Sequence, residues 1–213
     1  MKTIAFAAAA VSVLAAAPAL AEAPVRYVQA NIGAAVGGQH EMSSARLSHS
    51  GIQPYEQIRD AKGDIDDGVI VSLLAGQKIN AKWAIEGEIV YAQSDATMDQ
   101  GYVLTDSTAY GFMANVSYEA LRRDKYGVYV GAGIGYGKVE NDQAFAQNNG
   151  NTSDDDSGLM WQLKAGVTYD LSARTSLDVG YRYLVLPETP ASLFSDTFET
   201  EIHALTAGVR YTF

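Results

Sequence analysis

The sequence predicts an all-β fold, an eight-stranded antiparallel up-and-down barrel that spans a membrane. Three observations carry that prediction. Apolar residues recur at every second position in eight separate runs, the connections between runs alternate between long and short, and aromatic residues recur eight positions apart on one face of several runs. Mean hydropathy is -0.06, and the sequence has no apolar stretch near the twenty or so residues a transmembrane helix requires. The content of 13 Tyr and 20 Gly is high for a soluble enzyme, and barrel strands, which are only half apolar, reconcile the two facts.

The amino terminus sets the compartment. Met1 and Lys2 precede an Ala-rich apolar run from Ile4 to about Ala17, too short to span a bilayer, and Ala19-Leu20-Ala21 supplies the small-residue arrangement that signal peptidase cuts. Residues 1 to 21 are therefore expected to be an export signal, and residues 22 to 213 a single barrel domain. The absence of cysteine means that ladder hydrogen bonds and packing must hold an exported chain together without disulfides. The formal charge of -10 becomes -11 once Lys2 leaves with the signal, which argues against nucleic acid as a partner.

The runs are 26 to 36, 68 to 77, 82 to 92, 107 to 119, 126 to 138, 158 to 169, 175 to 185 and 201 to 213. The first two alternate less cleanly than the rest. In the third, Trp83, Ile85, Gly87, Ile89 and Tyr91 oppose Ala84, Glu86, Glu88 and Val90; the fourth carries Tyr110 and Tyr118 in one phase. In the fifth, Val128, Val130, Ala132, Ile134 and Tyr136 oppose Tyr129, Gly131, Gly133 and Gly135. The sixth sets Leu159, Trp161, Leu163, Ala165, Val167 and Tyr169 against Gln162, Lys164, Gly166 and Thr168, and the seventh sets Leu177, Val179, Tyr181 and Tyr183 against Asp178, Gly180 and Arg182. The eighth ends on Leu205, Ala207, Val209, Tyr211 and Phe213 in one phase. Charges share their face with glycines, as a narrow lumen requires, so the other face meets lipid.

The connections 37 to 67, 93 to 106, 139 to 157 and 186 to 200 are long, while 78 to 81, 120 to 125 and 170 to 174 are short, which places loops at one end of the barrel and tight turns at the other. Trp83 and Tyr91, Tyr110 and Tyr118, and Trp161 and Tyr169 are each eight residues apart. At a rise of about 3.3 Å and a tilt near 40°, that spacing covers roughly 20 Å of membrane normal, close to the apolar band of an outer membrane. An aromatic girdle of Trp83, Tyr91, Tyr110, Tyr118, Tyr136, Trp161, Tyr169 and Tyr183 follows. Tyr211 and Phe213 read as an insertion signal at the lipid-facing rim of the closing strand.

The segments "YVGAGIGYGK", "WQLKAGVTYDLS", "SLDVGYRYL" and "HALTAGVRYTF" resemble the small eight-stranded outer-membrane barrels of proteobacteria, the opacity-type and porin-family surface antigens related in fold to the OmpA transmembrane domain. The resemblance spans essentially the whole chain after the signal. It implies residence in the outer membrane of a Gram-negative bacterium as a monomer, with outer-membrane lipids and lipopolysaccharide as neighbours and the barrel-assembly machinery as an insertion partner. That group includes structural barrels, antigens, adhesins and proteins called porins, so the resemblance is specific for fold and weak for activity. The chain reads as stopping at the barrel, so the peptidoglycan-binding module of two-domain OmpA proteins, and wall tethering with it, is not expected.

Two groups of residues are candidate sites. The inward phase carries Glu86, Glu88 and Asp178 against Lys164, Arg182 and Arg210, a balanced set expected to form a lumen charge network. The simplest hairpin register sets Arg182 opposite Lys164, which points to Glu86 and Glu88 as their partners. The loops are the second group: "GDIDDG" and "NNGNTSDDDSG", with Asp154, Asp155 and Asp156, are oxygen-rich but lack the ligand spacing of a calcium loop, so no metal or cofactor is expected beyond loose divalent association. Histidine is confined to His40 and His49 in the first loop and His203 at the outer start of the last run; no triad is legible and no enzyme is expected. The functional expectation is a structural, surface-exposed envelope protein and surface antigen. A narrow pore through the lumen and an adhesin whose first loop uses Arg46, Tyr55 and Arg59 toward a host or surface ligand are the alternatives.

Overall fold

A computed structural model describes residues 25–43, 61–98, 103–145, 151–190 and 197–213. The strands are β1 (Arg26–Ser43), β2 (Ala61–Lys78), β3 (Trp83–Met98), β4 (Val103–Arg123), β5 (Tyr126–Phe145), β6 (Asn151–Asp170), β7 (Thr175–Val185), β8 (Thr189–Pro190) and β9 (Thr197–Thr212). Each of the eight long strands pairs antiparallel with its neighbours, and β1 pairs with β9 from Tyr27↔Thr212 to Ser43↔Thr197, closing the sheet. The two-residue β8 lies against β9 at Phe198 and Thr197. Closure removes the sheet edges, and with them the unpaired backbone groups that a lipid environment cannot satisfy.

The tight turns follow from local side-chain chemistry. In the turn after β2, the Asn80 Oδ1 accepts hydrogen bonds from the backbone N–H of Lys82 (2.8 Å) and Trp83 (2.9 Å). After β6, the Ser172 hydroxyl does the same for Arg174 (3.2 Å) and Thr175 (3.0 Å). Between β4 and β5 the chain reverses at Asp124, whose φ of 42° lies in the left-handed region that aspartate tolerates. Both described ends of the chain sit at this turn end, where Lys78 N donates to Val25 O and Phe213 N donates to Arg26 O.

All strands but β7 differ from the sequence runs, most of them in extending at the loop end. β4 has 21 residues, β5 and β6 20 each, and "GDIDDG" and Asp154 to Asp156 belong to β2 and β6 rather than to loops. His40 likewise lies in β1, opposite Gly63 and Thr200. The reason is physical: the alternation of apolar and polar side chains stops where lipid stops, while the backbone ladder continues into water. Twenty-odd residues at about 3.3 Å rise far exceed an apolar band of roughly 25 Å, so the strand tops project beyond it.

On that projecting wall Asp67, Asp95 and Asp106 face one another across β2, β3 and β4, outward and beyond the Tyr91–Tyr110 pair. Like charges directly opposite destabilise a ladder. Loss of hydration, followed by the Asp106 carboxylate, pushes Asp95 above its ordinary value. The native state then holds the proton more tightly than the unfolded chain, so this contribution is full in acid, below the ordinary aspartate value, and is lost as pH rises through the raised one. Asp95→Asn is therefore expected to raise the urea unfolding midpoint at neutral pH and to leave it unchanged in acid.

Candidate functional site

The barrel interior has two layers. Toward the turn end it is polar: Tyr27, Gln29 and Asn31 of β1, Ser72 of β2, Glu86 and Glu88 of β3, Asn115 of β4, Gln162 and Lys164 of β6, and Asp178 and Arg182 of β7 point inward and are buried or nearly so. Toward the loop end it is apolar, with Ile70, Val90, Met113, Met160, Leu184 and Ile202 in one buried cluster. An interior polar throughout is the simplest expectation for charges sharing a face with glycines, and the upper layer departs from it. On β3, β6 and β7 the inward side turns from charged or polar to apolar at Val90, Met160 and Leu184, close to Tyr91, Trp161 and Tyr183 on the outer face.

The charges interlock in the lower layer. Lys164 lies opposite Arg182 in register, and each reaches across the lumen to β3. Lys164 Nζ is 2.9 Å from Glu86 Oε2 and 3.7 Å from Glu88 Oε2, while Arg182 Nη2 donates to Glu88 Oε1 at 2.6 Å. Neutral donors complete the carboxylates: the Tyr27 hydroxyl donates to Glu86 Oε1 (2.6 Å), and Asn115 Nδ2 (2.9 Å) and Gln162 Nε2 (2.7 Å) donate to Glu88 Oε2. With their carboxylates paired and hydrogen-bonded in this way, Glu86 and Glu88 are tolerable as buried charges.

Asp178 and Arg210 stand apart from that core. The Tyr129 hydroxyl donates to Asp178 Oδ1 at 3.0 Å, and Arg210 donates through Nε to Gln29 Oε1 at 2.7 Å with its guanidinium 4.3 Å from the centre of the Tyr27 ring. Asp178 Oδ2 and the Nε and Nη1 of Arg182 make no hydrogen bond among the described residues. Both side chains line a cavity of about 10 Å³, room for about one water.

The tyrosines, asparagines and glutamines that hold these charges escape a reading based on charge alone. For Tyr27, Gln29 and Asn31 a signal exists, since they alternate with Val28, Ala30 and Ile32.

On the outer surface Trp83, Tyr91, Tyr110, Tyr118, Tyr136, Trp161, Tyr169 and Tyr183 all face outward. Trp83 packs on Tyr118 (ring centres 4.8 Å) and Trp161 on Tyr183 (5.3 Å), one pair near each end of the wall. Tyr211 and Phe213 pack edge to face at 5.4 Å beside the β1–β9 seam. His203 packs at a tilt against Tyr183, ring centres 5.0 Å apart, and shares a hydrogen bond with the Tyr181 hydroxyl. Arg46, His49, Tyr55, Arg59 and the export signal lie outside the described residues.

A closed eight-stranded wall with an aromatic ring near each end and a filled interior is the form of an outer-membrane barrel, and the family model described as "Outer membrane protein beta-barrel domain" matches residues 6–213. The chain belongs to this family. Membership places the protein in the outer membrane of a Gram-negative bacterium.

Similar solved structures share the fold. Neisserial surface protein A superposes with a TM-score of 0.52 at 20% identity, covering 88% of this chain and 97% of that one. The outer membrane protein OprG from Pseudomonas aeruginosa gives 0.55 at 13%, covering 90% and 96%. The outer membrane protease OmpT from Escherichia coli gives 0.55 at 7%, covering 88% and 97%. Such identities carry the fold and no chemistry, as the presence of a protease among these structures illustrates. No curated protein sequence matches the chain.

Proposed function

We propose that this outer-membrane barrel is a closed, non-enzymatic structural protein of the envelope that presents its loop end at the cell surface as an antigen. The observation that carries this reading is the stacking of the two interior layers. The Glu86–Lys164 and Glu88–Arg182 pairs cross the lower lumen, and the apolar cluster of Ile70, Val90, Met113, Met160, Leu184 and Ile202 fills the lumen above them. An ion passing this way would have to separate buried ion pairs and then shed its hydration against hydrocarbon. Among the described residues, the cavity lined by Asp178 and Arg182 has room for about one water, too little for a hydrated ion.

The test is single-channel conductance of the refolded barrel in a planar bilayer, beside a Glu86→Gln/Glu88→Gln variant. The expected result is a silent bilayer from protein whose folded state is verified by its heat-dependent gel mobility. Conductance steps whose size or ion preference changes in the variant would replace the structural reading with a narrow pore lined by those carboxylates.

A further inference from the structure

The turn end carries a pattern that neither the lumen nor the fold accounts for. The turn after β2 reads Ile79-Asn80-Ala81-Lys82 and the turn after β6 reads Leu171-Ser172-Ala173-Arg174: an apolar residue, a side-chain turn cap, alanine and a cation. The same two backbone bonds close each: Ile79 N and Asn80 N donate to Trp83 O (2.8 and 3.4 Å), and Leu171 N and Ser172 N donate to Thr175 O (2.9 and 3.1 Å). The third turn differs in geometry but repeats the chemistry, with Leu121 followed by Arg122, Arg123 and Lys125. Ile79 is 60% exposed, Leu171 53% and Leu121 49%. Polar capping explains Asn80 and Ser172; it explains neither the exposed apolar residue nor the cation.

Some of these cations are engaged internally. Lys78 and Arg122 approach Glu119 (3.3 and 3.4 Å), and Arg122 also reaches Asp170 at 3.3 Å. Lys82, Arg123, Lys125 and Arg174 are exposed and make no ion pair among the described residues, and Lys82 lies 5.8 Å above the Tyr118 ring, itself packed on Trp83. We propose that this rim docks on anionic phospholipid headgroups, with Ile79, Leu121 and Leu171 entering the acyl boundary and Lys82, Arg123, Lys125 and Arg174 contacting phosphate. Continuity selects a lipid surface over a protein partner, because the exposed apolar residues extend the lipid-facing belt through Trp83, Tyr118, Tyr126 and Tyr169 all the way to the turns. Charge selects anionic lipid, because a cation beside an apolar residue at the headgroup level is attracted by negative surface potential. The inference goes beyond the closed-lumen reading and stands whether or not the barrel conducts.

The chain has two tryptophans, Trp83 at the turn rim and Trp161 at the loop rim, so each leaflet contact can be read separately. A Trp161→Phe barrel is refolded into phosphatidylcholine vesicles containing either dibrominated phosphatidylglycerol or dibrominated phosphatidylcholine at matched mole fraction. Because both leaflets hold the same lipid, the direction of insertion does not matter. The expected result is that brominated phosphatidylglycerol quenches Trp83 about two-fold or more beyond brominated phosphatidylcholine. The excess should vanish when Lys82→Gln, Arg123→Gln, Lys125→Gln and Arg174→Gln are combined, and it should be missing at Trp161 in a Trp83→Phe barrel.

Equal quenching of Trp83 by the two lipids would overturn the proposal. So would an excess that survives the four substitutions or that appears equally at Trp161. If the four-site variant lacks the heat-dependent mobility shift of a folded barrel, ionic strength serves instead: the Trp83 excess must fall with added salt, and a salt-independent excess would overturn the assignment. Silence or conductance in the planar bilayer is scored independently of either result.

Discussion

Glu88→Leu is expected to destabilise the barrel by about 3–5 kcal/mol, the typical loss when one partner of a buried ion pair is removed. Glu88 is fully buried and is the acceptor on which the lower lumen converges: Arg182 at 2.6 Å, Gln162 at 2.7 Å and Asn115 at 2.9 Å. Leucine would leave the Arg182 guanidinium buried with its remaining nitrogens already short of acceptors. The decisive comparison is Glu88→Leu/Arg182→Met. Removing both charges spares the unpaired cation, so the double variant should recover most of the loss and unfold within about 1–2 kcal/mol of the original protein. Urea unfolding of the bilayer-reconstituted barrel measures both. If the double variant were as unstable as the single, the neutral hydrogen bonds of Asn115 and Gln162 would supply most of the stabilisation at this site, and the ion pair would be incidental.

That pair shows where legibility ends. The inward phase of Glu86, Glu88, Lys164 and Arg182 can be read from sequence, because alternation is local and charges share a face with glycines. Who meets whom is a different matter. Lys164 and Glu86 are 78 residues apart, and Arg182 and Glu88 are 94 apart, so their meeting depends on the stagger accumulated around a closed wall. The apolar upper layer is illegible for another reason. Val90, Met113 and Leu184 lie next in phase to inward Glu88, Asn115 and Arg182 on strands whose outward face is apolar too, and where both faces are apolar, alternation carries no sign. Strand length fails in the opposite direction, since the polar strand tops carry ladder bonds without any hydrophobic periodicity. The first strand's Tyr27, Gln29 and Asn31 do alternate, but the Gly33-Ala34-Ala35 stretch and the bulge before Gly37 blur the phase beyond them.

Two glycines from opposite faces of the wall should respond in opposite directions to the same substitution. Gly135 faces inward on β5, where a Cβ would press on the Phe112 carbonyl oxygen and approach Met113 Cγ at 2.8 Å and Met113 Cα at 2.9 Å. Two of those three atoms are backbone of the paired strand β4, which cannot yield without opening the Met113↔Gly135 ladder position. Gly135→Val is therefore expected to cost at least the roughly 1–3 kcal/mol of an overpacked core, and more if the β4–β5 ladder separates. Gly87 faces outward on β3, and a Cβ there meets nothing within 4 Å. Gly87→Val adds a β-branched apolar side chain to the lipid-facing surface and should stabilise the barrel by up to about 1 kcal/mol. Refolding yield by gel mobility and the urea midpoint report both changes. A barrel that accepted valine at 135 as readily as at 87 would mean that β5 is not held close to its neighbours' side chains. The inward glycines of that strand, Gly131, Gly133 and Gly135, would then lose their physical reason, which is to leave lumen space for Asn115, Met113 and the side chains that reach Glu88.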